Sequence, residues 1–264
     1  ANAAAGPPPP PPRCHVCFLP GVDIVLPPRA ADIDMPSCEE LRHTATRADG
    51  ASDGARDTLF FWAGRVVPGA HRTNPMYVDA PNVRQLLLAH AREPRFVIVD
   101  SAAPNASRVD GVQMMLRSTF CWAPPGQRYG DARRHLPAAF LGCIPVFSVP
   151  DGHHTLEEAL PWARMSLSVS ADELPRLPAI LRAVEPRQIA AMRRALRAAR
   201  HALWYSSMYG ECRAEMGGAL PDAFDTLMAI LRSRLQQREV EPGALAQLLN
   251  AAAAPTDEPR AAGT

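Results

Sequence analysis

Residues 118–147, STFCWAPPGQRYGDARRHLPAAFLGCIPVF, carry the pattern that decides the fold. An apolar run at Thr119–Trp122 stops at Pro124-Pro125-Gly126, a helical pattern follows over Ala132–Leu141, and a second apolar run occupies Ile144–Ser148. Both runs are continuously apolar rather than alternating, which suits strands covered on both faces of a parallel sheet. Strand, stiffened loop, helix and strand in that order make a βαβ unit. Working outward, further strand candidates lie at Val22–Leu26, Thr58–Ala63, Arg95–Val99 and Ser166–Val169, with helical patterns at Asn82–Arg92, Gly111–Leu116 and Leu156–Trp162. The alternation predicts an α/β protein with a doubly wound parallel sheet and flanking helices.

Beyond the last strand the pattern turns helical. Ile189, Met192, Leu196, Ala199 and Leu203 step by three or four and predict the core face of a helix from about Pro186 to Tyr205, leaving Arg193, Arg194, Arg197 and Arg200 on a solvated side. Phe224, Leu227, Met228, Leu231 and Leu235 have core spacing on a last helix, Asp222–Leu235. Residues 42–56 are polar and aperiodic and read as a loop; the proline run ending residues 1–12 reads as a polyproline II spacer, and residues 251–264 as a frayed tail. The domain reading is a Pro-rich start over residues 1–17, one folded domain over 18–238, and a C-terminal tail over 239–264.

Composition narrows the function classes. With 264 residues the chain is long enough to bury a core without staples, and 47% hydrophobic with 21% charged residues describes a globular chain. A net charge of +1 argues against a broad electrostatic footprint for nucleic acid or anionic lipid. No apolar run reaches the roughly 18 residues of a membrane span. All 28 basic residues are Arg, so a bound anion must be held by guanidinium forks, backbone amides or helix N-termini. The chain begins at Ala1 without a signal-peptide pattern, so a processed chain or fragment is expected, with targeting information upstream. Six cysteines permit pairing in an oxidising compartment without demanding it, and Asn105-Ala106-Ser107 is a glycosylation acceptor triplet.

Several common chemistries are excluded. There is no G-x-G-x-x-G, no Walker lysine motif and no G-x-S-x-G. Cys14-His15-Val16-Cys17 has no second ligand pair, so a local disulfide or idle thiols are preferred to a metal site, and His153-His154 is read as a polar capping loop. Cys121 and Cys143 flank core strands as buried thiols or a disulfide. Asp23 is a loop or capping carboxylate in preference to a base, and Trp122 is either a core ring or a stacking platform. Two segments stand out as binding elements. Leu59-Phe60-Phe61-Trp62-Ala63-Gly64-Arg65 is an apolar strand ending in Gly then Arg, at the strand end where α/β sheets bind ligands. The loop Pro124-Pro125-Gly126 with Arg128, Arg133 and Arg134 is a candidate anion cradle at a helix N-terminus.

The string F-C-x-x-P-P-G … R-R … G-C-I-P-V-F resembles the nucleotide-sugar-binding half of exostosin-family glycosyltransferases. The resemblance extends to Val22–Pro28, to Leu59–Arg65, to Val83-Arg84-Gln85, and to Leu156–Trp162 with Ser166–Pro175, covering about residues 18 to 235. It implies a Rossmann-like domain that forms the C-terminal half of a GT-B architecture, and inverting transfer from a UDP-sugar to a glycan without a metal or cofactor. It implies a donor site at Gly64, Arg65, Arg84, Pro125, Gly126, Arg128, Arg133 and Arg134, with no catalytic base assigned. It also implies a lumenal Golgi location with the anchor outside this chain, and a hetero- or homo-oligomer with another glycosyltransferase. Pro137 stands where the family carries an acidic residue for the donor ribose; Asp131 is a shifted substitute. The alternative is a non-catalytic, exostosin-like partner or scaffold.

Overall fold

The computed structural model describes residues 21–28, 35–46, 56–66, 83–103, 109–124, 134–148, 153–206 and 212–236. The expected Pro-rich start and C-terminal tail, and the Cys14–Cys17 motif, lie outside the described residues. The elements run α1 (Cys38–Thr46), β1 (Thr58–Gly64), α2 (Val83–Leu87, continued by a 3-10 turn), β2 (Phe96–Asp100), α3 (Gly111–Arg117), β3 (Ser118–Ala123), α4 (His135–Phe140), β4 (Ile144–Phe147), α5 (Trp162–Met165), β5 (Leu167–Ser168), α6 (Leu177–Ala183), α7 (Pro186–Ala199) and α8 (Ala223–Leu235). The strands form one parallel sheet in the order β2-β1-β3-β4-β5. The predicted α/β class with a Rossmann-like parallel sheet is therefore observed.

Strand periodicity divides the core. Phe60 and Trp62 of β1, Phe120 and Trp122 of β3, and Ile144 and Val146 of β4 share the larger apolar cluster with Leu196 and Ala199 of α7. Phe61 and Cys121 point to the other face, where Met115 of α3 and Ala138 and Leu141 cover them. A run apolar at every position is what a sheet covered on both sides requires. The face of α7 is as expected: Leu196 and Ala199 are buried, and Ile189 and Met192 pack partly buried against the core.

Arginine closes the N-terminal end of the sheet. The Arg56 guanidinium donates to the carbonyls of Met115 (2.7 Å), Ser118 (2.5 Å) and Leu141 (2.8 Å), capping the ends of α3 and α4. Gly142 ends α4 at φ 69°, and a Cβ there would sit 3.2 Å from Arg56 Nη2, so close approach and left-handed backbone both call for glycine. Disulfides join Cys38 to Cys212 and Cys121 to Cys143. The second closes the crossover between the adjacent strands β3 and β4.

Several expectations are corrected. Val22–Leu26 forms no strand: its Val22 and Leu26 side chains are exposed, and it is held instead by Leu156 N–H to Val25 O (2.8 Å) and by Arg234 to the Val22 and Asp23 carbonyls. Leu156–Trp162 is a series of turns, the helix starting only at Trp162. Residues 42–46 of the expected loop belong to α1, which Ser37 and Glu40 start with a reciprocal cap. The helical pattern read over Ala132–Leu141 narrows to His135–Phe140, and Pro137 sits in its first turn, where a missing N–H leaves no helical bond unmade. The basic side of α7 is only partly solvated. Arg200 is 9% exposed, donating to Thr44 Oγ1 and the Glu215 carbonyl, and burial pushes Arg193 down to about 10. On α8 the buried positions are Ala223, Thr226 and Ile230, whereas Phe224, Met228, Leu231 and Leu235 are exposed.

Candidate functional site

In a doubly wound sheet ordered 2-1-3-4-5, the chain reverses its direction of winding between β1 and β3. Crossovers leave that point on opposite sides, and in open sheets of this kind ligands bind beyond the C-terminal ends of the two strands. Both segments singled out in the sequence lead there. Gly64 and Arg65 terminate β1, and Ala123-Pro124 terminate β3.

At the exit of β1 the backbone is tightly held. The Gly64 carbonyl accepts from the Ser101 N–H (3.0 Å), the Arg65 carbonyl accepts from Arg84 Nη1 (3.0 Å), and the Val66 N–H donates to Asp100 Oδ1 (3.0 Å). Asp100 ends β2 in register with Gly64, and the same Oδ1 accepts from the Ala102 N–H (2.9 Å). Arg65 itself is exposed, and among the described residues its guanidinium makes no hydrogen bond or ion pair. A cation is thus presented beyond the C-terminal end of β1 with no countercharge among the described residues.

The role expected of Gly64 changes. The resemblance places it in the donor site, yet it is buried, and a Cβ built on it lies 2.7 Å from Trp62 Cζ2 and 3.2 Å from Trp62 Nε1. Glycine is needed here to seat the indole of its own strand. Trp62 packs edge-to-face on Trp122 with ring centroids 5.5 Å apart. Trp122 is 2% exposed, so of the two roles considered for it the core ring is the one observed.

The other candidates fall as follows. Arg84, on α2, is brought to Arg65 as described. Arg134 is half-buried immediately before α4, at the N-terminal side of the β3–β4 crossover. Pro125, Gly126, Arg128 and Arg133 lie outside the described residues, as does Asp131. Pro137 is buried and offers no side-chain acceptor. The His153-His154 segment is a capped turn: Glu157 accepts from the His154 N–H (2.7 Å) and contacts His153 Nδ1 (2.7 Å), while the His154 ring lies 4.1 Å from that of Phe147. Asp23 belongs to the extended segment held by Arg234.

Sequence reasoning missed Asp100. The apolar run Phe96–Val99 ends in its carboxylate, and only the register of β1 against β2 brings that carboxylate beside Gly64.

Comparison with known proteins places residues 18–184 on the exostosin GT47 domain. Two proteins of Arabidopsis thaliana, each named a probable glycosyltransferase, are similar to this chain. One is 30% identical over 154 residues, 58% of this chain and 27% of its own length; the other is 30% identical over 153 residues, 57% of this chain and 29% of its own. A probable glucuronosyltransferase of Oryza sativa subsp. japonica is 36% identical over 70 residues, 26% of this chain and 16% of its own length. The matched stretches thus span less than a third of each of these curated relatives.

Proposed function

Because the chain belongs to the exostosin GT47 family, we propose that it is the nucleotide-sugar-binding part of a glycosyltransferase that transfers a sugar from a UDP-sugar to a glycan with inversion. The observation that carries this is Arg65, exposed and without an ion pair among the described residues, at the β1/β3 switch point of a domain matched to that family. The acceptor hydroxyl attacks the anomeric carbon, the bond from that carbon to the β-phosphate oxygen breaks, and UDP departs with the electron pair. A base on a second, facing domain of a GT-B architecture takes the acceptor proton. Charge gathering on the departing diphosphate is met by preorganised guanidinium groups and helix N-terminal amides rather than by a metal. Arg65 is the described group best placed for this, with Arg134, immediately before α4, another described arginine of the expected donor set. The two described disulfides are compatible with an oxidising compartment such as the Golgi lumen.

A second role, a donor-binding partner without transfer activity, is favoured by Pro137, buried in α4 at the position where the family resemblance implies an acidic residue for the donor ribose. Calorimetric titration of UDP into the full chain tests the binding common to both. Saturation is expected below about a millimolar, weakened roughly tenfold or more by Arg65→Ala, the usual worth of a charge-assisted contact. No saturation at that concentration overturns the proposal. Sugar transfer by the enzyme including its second domain then separates the transferase from the inactive partner.

A further inference from the structure

We propose that Asp100 and Arg84 are positioning residues, which act on the nucleotide by fixing the backbone that presents Arg65; the inference rests on the donor-site proposal above. The geometry separates the roles. Arg84 spends a guanidinium N–H on the carbonyl of Arg65, 3.0 Å away, and so reaches the site through that peptide group. Asp100 uses a single oxygen to hold the N–H groups of Val66 and Ala102, joining the exit of β1 to the exit of β2. Ser101 completes the clasp on the Gly64 carbonyl. Peptide groups on both sides of the Arg65 Cα are therefore pinned, while its side chain is exposed.

The consequence is preorganisation. An arginine on a free loop must lose backbone as well as side-chain freedom when it captures an anion, whereas here the backbone share is already lost on folding. Val66 is 5% exposed, so without Asp100 its N–H would be left buried and unpaired, and the exit of β1 would rearrange to satisfy it. Neither Asp100 nor Arg84 needs to touch the nucleotide for this to work. Arg84 accordingly moves from an expected donor contact to a support.

The test is a double-mutant cycle read by UDP titration of the full chain, because residues that act through Arg65 lose their effect when Arg65 is gone. Asp100→Ala and Arg84→Met are each expected to weaken UDP by roughly five- to tenfold in the wild-type background, and to add less than about twofold in the Arg65→Ala background. Asp100→Asn keeps the Oδ1 acceptor and is expected to bind within about twofold of wild type. If Asp100→Ala does not fold, Arg84→Met and Asp100→Asn decide the matter. Losses that persist in full in the Arg65→Ala background, or an Asp100→Asn variant as weak as Asp100→Ala, overturn the inference and leave the nucleotide site standing. A wild-type chain with no saturable UDP binding overturns both.

Discussion

Gly64 shows how one residue joins strand packing to the rim of the site. With no Cβ it admits the Trp62 indole, whose Cζ2 would otherwise lie 2.7 Å away, and that packing sets where β1 ends and Arg65 begins. Gly64→Ala is expected to destabilise the fold by about 1–3 kcal/mol, as overpacking against a rigid ring does, with the loss read from urea unfolding. An unchanged midpoint would mean that the indole relaxes at no cost. That β1 ends at Gly64, with Arg65 next, was legible because the strand's apolar run stops there. The reason for the glycine was not, since nothing in a linear string shows a Trp folding back over a residue two positions on. Asp100 escaped for a related reason: its partners Val66 and Ala102 reach it only through the register of β1 against β2.

At the scale of elements, the closing helices are joined by one histidine. His201, in the 3-10 turn after α7, is 6% exposed, and its Nδ1 lies 2.5 Å from the Pro221 carbonyl just before α8. That contact makes Nδ1 the donor and leaves Nε2 buried and unpartnered, so burial holds the imidazole below its ordinary value of 6.5. The unfolded chain therefore takes up the proton first. Stability is complete above 6.5 and declines as pH falls through the interval beneath it, because unfolding binds a proton there. The Arg42 guanidinium holds Glu215 below its ordinary 4.5, so that contribution persists to lower pH and is lost only in the acid range beneath. Thermal melts should thus fall in two stages on acidification, and His201→Gln should flatten the first. A first stage unchanged in that variant would assign it to another group. Strands and helices differ in how far sequence revealed them. All five observed strands lie within one residue of the bounds read from apolar runs, because burial within the sheet leaves an unbroken signal. Val22–Leu26 has the same apolar character but no neighbouring strand, and pairing is not written in composition. On α8 the spacing identified the helix but not its buried face. Asp222 caps it so that Ala223, Thr226 and Ile230 turn inward, and the larger side chains remain outside.

Across the whole molecule the two ends of the sheet have different duties. At the N-terminal end, Arg56 and the Arg117–Asp57 pair are consumed by internal contacts that hold α3 and α4. At the C-terminal end, the arginine at the switch point is exposed and its neighbours hold only its backbone. Disulfides brace both the sheet and its helical cover, since Cys121–Cys143 closes a crossover and Cys38–Cys212 joins residues 174 apart. Closing loops of these lengths restricts the unfolded chain by about 3–5 kcal/mol each. On the proposed function, this frame presents Arg65 to a diphosphate. A crystal structure of the chain grown with UDP measures that most directly. The diphosphate is predicted outside the C-terminal ends of β1 and β3, with a phosphate oxygen about 3 Å from the Arg65 guanidinium. UDP lodged at the opposite end of the strands, or no nucleotide beyond β1 and β3 at saturating UDP, would contradict it.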